Sequence, residues 1–209
     1  MQPDTDILGL VDVQPTFMPG GELPVADGYA VVPVINRLLP RFAHAFATQD
    51  WHPRGHYSFA SSHPGKAPFD VLDGQTLWPD HGLAGSANAA IHAAIDQAKI
   101  EVVIRKGFRP HLDSYSAFFE NDRQTATGLD GWLRQRGFKR IFFTGLATDF
   151  CVGWSAEDAL RLGYEVVLIE DACRGIGIPT TVGRTTIDEM KNRLAGQGCR
   201  FITSSRLAA

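Results

Sequence analysis

Six short apolar runs, rich in β-branched and aromatic residues, recur along the chain at 7–11, 43–48, 101–105, 140–144, 165–169 and 199–203. Between them lie segments with helical spacing at 28–41, 86–98, 127–136, 150–162 and 180–195. Runs of that length read as strands, and apolar residues three and four apart read as helices. The alternation predicts an α/β fold, a parallel sheet with helices on both faces, because a parallel neighbour is reached through a crossover that is usually helical. At 209 residues the chain fits one such domain, 1–209. Arg136-Gly137 and Leu162-Gly163 place glycine at the left-handed stop that ends a helix just before a strand. The stretch 51–85 breaks the rhythm, and a loop that long inside a compact domain usually carries function.

Charge narrows the partners. Twenty basic against 23 acidic residues leave a net charge of −3 without a basic run, which argues against nucleic acid and against a polybasic membrane protein. A small-molecule substrate is the expected partner. The chain has no apolar stretch of 18 residues, and its first residues are acidic where an export signal is cationic. Three cysteines, Cys151, Cys173 and Cys199, form no Cys-x-x-Cys pair, and an odd number leaves at least one thiol free. A cytoplasmic protein is expected, and base rates favour a homo-oligomer of two copies.

In open α/β sheets the ligand sits beyond the carboxyl ends of the strands. The first strand leads to Asp12, the second to Asp50 and His52, the third to Lys106, and the fourth through Gly145-Leu146-Ala147-Thr148-Asp149-Phe150 to Cys151 at a helix start. A thiol in a first helical turn meets free N–H groups and the positive dipole end, which favour thiolate. Asp12 is placed to take its proton, and Lys106 to steady the charges. The turn into the helix also offers N–H groups to an oxyanion. Taken singly, Cys151 is a small core residue, Asp12 a helix cap and Lys106 a solvated charge. Taken together they suggest a nucleophilic triad.

Asp50-Trp51-His52, with His56, His63 and His81 following, supplies carboxylate and imidazole groups suited to Zn²⁺, Fe²⁺ or Mn²⁺. Histidines on a surface loop would look the same. His44, His92 and His111 lie outside the loop and read as structural. Trp78 and Phe17 are candidates to stack a flat ring, with core packing as the alternative.

These residues resemble the nicotinamidase/pyrazinamidase family, within the isochorismatase-like cysteine hydrolases. The matching pieces are Val11-Asp12-Val13-Gln14 with Phe17, Gln49-Asp50-Trp51-His52-Pro53, Trp78-Pro79-Asp80-His81, Arg105-Lys106-Gly107 followed by Asp113-Ser114-Tyr115-Ser116-Ala117-Phe118, Gly145 to Val152, and Asp171-Ala172-Cys173. They cover nearly the whole chain in family order.

The resemblance implies a three-layer α-β-α fold with six parallel strands in the order 3-2-1-4-5-6, and a metal-binding insertion at about 51–85. It implies a triad of Asp12, Lys106 and Cys151, and an oxyanion hole from the backbone N–H groups of Ala147 and Cys151 with a cis peptide at Leu146-Ala147. Phe17 and Trp78 would sandwich a pyridine ring. Asp50, His52 and His81 would hold one divalent metal, zinc first and iron or manganese next, with His56 supplementing the site in some members. The implied reaction takes nicotinamide to nicotinate and ammonia, and pyrazinamide to pyrazinoate, through a thioester. The chain departs from the family at Pro15 and Thr16, where Asn-Asp is common, and at Gly82, where cysteine is usual. Pro15 and Thr16 would lie on the pocket rim, and all three positions bear on preference among pyridine carboxamides. The rival readings are an amidohydrolase acting on another small amide such as N-carbamoylsarcosine, and a catalytically silent ligand-binding relative. Ether cleavage of the isochorismatase type does not need a cysteine, so Cys151 argues against it.

Overall fold

The structure is a computed structural model that describes residues 1–181 and 183–207. Strands β1 (Asp6–Val11), β2 (Ala45–Asp50), β3 (Ile100–Lys106), β4 (Arg140–Leu146), β5 (Glu165–Arg174) and β6 (Arg200–Ile202) form one sheet. Its order is β3-β2-β1-β4-β5-β6, and every neighbouring pair is parallel. This is the expected order. It puts the strand-order reversal at β1, the strand that leads into Asp12.

The alternation of side chains along β1 divides the core in two. Leu8 and Leu10 face one layer with Val31, Ile35 and Leu38 of helix α1 (Val31–Leu38). Ile7 and Val11 face the other, against Leu129 and Leu133 of α2 (Leu129–Gln135), Val152 and Ala156 of α3 (Cys151–Arg161) and Met190 and Leu194 of α4 (Thr186–Gly196). Helix α1 is shorter than the expected 28–41. Its ends tighten into 3-10 turns, and Pro40, which has no N–H to donate, lies in the second of them. Helix α4 starts at Thr186, after the expected 180, because Thr185 and Asp188 form a reciprocal capping box there.

The expected helix at 86–98 does not form. Only two 3-10 turns appear, Ala87–Ala89 and Gln97–Lys99. Alanine favours a helix here, but distant groups claim the backbone instead. The Ala89 carbonyl accepts from the side chains of Gln14 (2.8 Å) and Gln49 (2.7 Å). His92 N–H donates to the Val13 carbonyl (2.8 Å), and Asn36 bonds both Ala94 O (2.7 Å) and Asp96 N (3.0 Å). Tertiary bonding overrides propensity. As a result the outer strand β3 leaves Val103 and Arg105 exposed on that face.

The stretch 51–85 contains a 3-10 turn, Ala60–Ser62, and a two-stranded antiparallel ribbon of Val71–Leu72 with Gln75–Thr76. It folds back over the carboxyl ends of the strands through the bridges His52 to Leu83 and Phe59 to Trp78.

Candidate active site

Because all six strands run the same way, their carboxyl ends share one edge, and the chemically active residues collect there. Asp12 follows β1 in a left-handed conformation (φ 48°), uncommon for a residue other than glycine. Asp50 ends β2, Lys106 ends β3, and Cys151 opens α3 after the β4 turn, which carries the cis peptide Leu146-Ala147.

Lys106 is fully buried at the centre of this cluster. Its ammonium has three N–H bonds, and they go to Asp50 Oδ1, the Ser114 carbonyl (3.0 Å) and Cys151 Sγ (3.3 Å). Asp12 Oδ2 lies 2.8 Å from the same ammonium as an ion pair but receives no directed hydrogen bond. Thr48 fixes the other oxygen: its hydroxyl donates to Asp12 Oδ1 (2.6 Å) and accepts from Asp12 N–H (3.1 Å). Asp12 Oδ2, the oxygen that Thr48 does not hold, is therefore paired with Lys106 alone.

Burial and charge set the resting protonation. Burial raises the Asp12 carboxyl, and Lys106 offsets this only in part while the charge of Asp50 adds to it. Asp50 shows the opposite balance: burial would raise it, but Lys106, His52 and His81 hold it well below the usual carboxylate range. Burial would lower Lys106, yet Asp12 and Asp50 hold it charged well above the lysine range. Cys151 corrects the expectation drawn from its place at a helix start. Burial pushes the thiol well above its usual range, and Lys106 opposes that without reversing it. The resting group is a thiol, with a base of raised proton affinity beside it.

Removing the ammonium leaves two buried carboxylates facing each other. Lys106→Met is expected to lose about 3–5 kcal/mol of stability at neutral pH. Without the cation the Asp12 carboxyl stays raised by burial and by the charge of Asp50, so it destabilises the fold as pH rises from its unfolded value through its folded one. The deficit against the parent should therefore shrink on acidification, and urea unfolding at pH 7 and pH 5 measures it. An equal deficit at both values would contradict the charge-pair account.

Beside this cluster stand Asp50, His52 and His81, all buried. His52 Nδ1 donates to the Gly107 carbonyl and His81 Nδ1 to the Pro79 carbonyl, both at 2.8 Å. Each bond turns Nε2 toward Asp50 Oδ2, at 3.7 and 3.5 Å. Ligating histidines are oriented in this way, and two imidazoles with one carboxylate fit a divalent metal such as zinc. Gly107 has φ +65°, and a Cβ there would lie 2.3 Å from the His52 ring, so glycine is required for the carbonyl to reach Nδ1. Gln14 clamps Asp50 from both sides, donating to its carbonyl (3.0 Å) and accepting from its N–H (2.9 Å).

His56 packs on His52 with ring centroids 4.4 Å apart, but its nitrogens are engaged elsewhere, with Ser58 Oγ (2.7 Å) and Arg109 O (2.9 Å). Burial and then His52 push it down to about 4. His63 bonds the Tyr57 carbonyl (2.7 Å), away from the trio.

Cys151 and Asp50 line a small pocket beyond the strand ends. Phe17, Trp78, Tyr115, Phe150 and Ile176 line it, and Ala147 and His81 reach it. Neither the Ala147 nor the Cys151 amide donates to an acceptor among the described residues. Trp78 is held edge-on to Phe150 (4.9 Å), and its Nε1–H donates to the Tyr115 hydroxyl (3.0 Å). Thr48, Asp113, Tyr115 and Ile176 join the site without a role legible in the sequence: Asp113 and Tyr115 belong to the 113–118 motif, whereas Ile176 is an isolated apolar residue with no signal of its own.

The sequence pattern of the Isochorismatase domain matches residues 7–198. A nicotinamidase of Acinetobacter baylyi is 48% identical over 171 residues, 80% of each chain. Among solved structures, a nicotinamidase/pyrazinamidase of Acinetobacter baumanii superimposes with a TM-score of 0.93 at 44% identity, covering 99% of this chain and 100% of that one. A pyrazinamidase of Pyrococcus horikoshii, solved in complex with zinc, does so with a TM-score of 0.77 at 31% identity, covering 95% and 98%.

Proposed function

The chain belongs to the isochorismatase domain family, and on that premise we propose that it hydrolyses nicotinamide to nicotinate and ammonia, and pyrazinamide to pyrazinoate in the same way. The observation that carries this reading is the meeting of Asp12, Lys106 and Cys151, with Cys151 lining an aromatic pocket. Its similarity to nicotinamidases supports the substrate class. The whole chain acts as one domain, with 51–85 as the metal-binding insertion.

Asp12 takes the proton of the Cys151 thiol as the sulfur attacks the carboxamide carbon, and Lys106 balances the charge that moves between them. Both groups are desolvated, so the transfer occurs without reorganising water. The amides of Ala147 and Cys151 receive the developing oxyanion. Asp12 returns the proton to the departing nitrogen, ammonia leaves, and a thioester remains on Cys151. Asp12 then takes a proton from water as the oxygen adds to the acyl carbon, and the acid leaves with the thiol restored. Phe17 and Trp78 hold the ring flat, which keeps the carbonyl carbon over the sulfur.

Asp50, His52 and His81 would hold the metal, and zinc is the ion we assign, by the donor set and by the zinc complex of the Pyrococcus relative. When bound it supplies a Lewis-acid position for a ring nitrogen. His52→Ala and His81→Ala are expected to lose bound metal and raise KM while the sheet stays folded, because both ligands lie beyond the strand ends. Elemental analysis and circular dichroism check this; one equivalent of metal kept in either variant would remove that residue from the ligand set.

No helix among the described residues is long and apolar enough to cross a membrane. Three unpaired, buried thiols suit a cytoplasmic protein with a small-molecule partner. Release of ammonia from nicotinamide by the purified, metal-loaded protein tests the assignment. Turnover of an aliphatic amide such as N-carbamoylsarcosine in preference to nicotinamide would overturn it.

A further inference from the structure

We propose that Thr16 and Gly82 form a positioning pair that sets the metal-ligand triangle, a reading that rests on Asp50, His52 and His81 being the ligands. Three separate contacts meet at Gly82. Its N–H donates to the Thr16 hydroxyl (3.0 Å), its carbonyl accepts from His52 N–H (2.9 Å), and it follows His81 directly in the chain. It also faces Asp50 so closely that a Cβ at position 82 would lie 3.0 Å from Asp50 Cβ and 3.3 Å from Asp50 O, at a backbone φ of +54°. One buried residue therefore touches or adjoins all three ligands, and a side chain there would be strained at that φ and would press on Asp50.

Thr16 is the anchor of this arrangement. It is fully buried, its hydroxyl accepts from Gly82 N–H, and its own carbonyl accepts from Leu23 N–H (3.0 Å). Gln14, two residues earlier, clamps Asp50 from the same short segment. The chain just after Asp12 thus holds Asp50 through Gln14 and the His81-Gly82 turn through Thr16, so the spacing of the ligands is fixed from one side. Thr16 touches neither the reacting atoms nor the ligand atoms. Its effect passes through the Gly82 backbone, as hydrogen-bonded partners outside the ligand set tune metal affinity elsewhere.

The test is titration of chelator-stripped protein with Zn²⁺ alone, in competition with a chromophoric chelator, under conditions where circular dichroism shows each variant folded. Thr16→Val keeps the shape and removes the acceptor, and it is expected to weaken the zinc Kd at least about tenfold, whereas Thr16→Ser keeps the hydroxyl and restores affinity near the parent's. Gly82→Ala retains the acceptor but presses a methyl group on Asp50, and it is expected to weaken the Kd by up to about 100-fold. It serves as the second variant if Thr16→Val does not fold. A parent-like Kd in Thr16→Val or in Gly82→Ala, or a serine variant as weak as the valine one, overturns the proposal. A parent chain that binds no zinc overturns the metal centre itself, which separates the two failures.

Discussion

Cys151→Ala is expected to lower kcat on nicotinamide by at least about 10⁴-fold, because removing a covalent nucleophile abolishes the step that Asp12 and the amides serve. Nicotinate binding should survive, since the ring is held by Phe17, Trp78 and the metal side of the pocket, away from sulfur. Equilibrium binding measured beside single-turnover kinetics separates the two effects. Cys173 and Cys199 are the controls. Burial pushes both thiols up to about 12, and neither lines the pocket, so alanine there should leave kcat nearly unchanged. Turnover above a few percent of the parent's in Cys151→Ala, or a loss in a folded Cys173→Ala comparable to the one expected at Cys151, would reassign the nucleophile.

Benzamide is expected to react about 10⁴-fold less efficiently than nicotinamide, read as kcat/KM. The two molecules have nearly the same shape and the same carboxamide, so the aromatic walls accept both. They differ in one ring atom. Nicotinamide and pyrazinamide carry a nitrogen meta to the carbon bearing the carboxamide, and the Asp50, His52 and His81 side of the pocket is where a ligand atom is wanted. A site built around one polar contact rejects an analogue lacking it far more strongly than an apolar pocket rejects a missing methylene. Similar kcat/KM values for benzamide and nicotinamide would show that the ring nitrogen makes no such contact.

The strand rhythm and the residues at strand ends were legible in the sequence, because period and position follow from local chain geometry. Asp12, Asp50, Lys106 and Cys151 each close an apolar run, and a parallel sheet brings such positions together whatever the details of the loops. The segment 86–98 was not legible. Its alanines carry a helical preference, and what defeats it are side-chain amides of Gln14, Gln49 and Asn36, which reach it from 40 to 75 positions away in the chain. The resting state of Cys151 was misread for a related reason. A helix start favours thiolate locally, but burial depends on everything packed around the sulfur, and burial wins. Likewise, Thr16 and Gly82 read from the sequence as two separate departures from the family pattern, whereas they are hydrogen-bonded to each other.

The reversal of strand order at β1 also divides the site in the order of synthesis. Asp12, Asp50, His52, His81 and Lys106 all precede residue 107 and belong to β1, β2, β3 and their loops, whereas Cys151, the Ala147 amide and the Ile176 wall arrive with β4 and β5. A chain growing from its amino end therefore completes the base, the cation and the ligand set on one half of the sheet before the sulfur exists. The half-sheet of β3, β2 and β1 ends in an open edge at β1, which β4 must cover. The strand that seals that edge is the strand that delivers the nucleophile, so the last structural gap and the reactive centre close together.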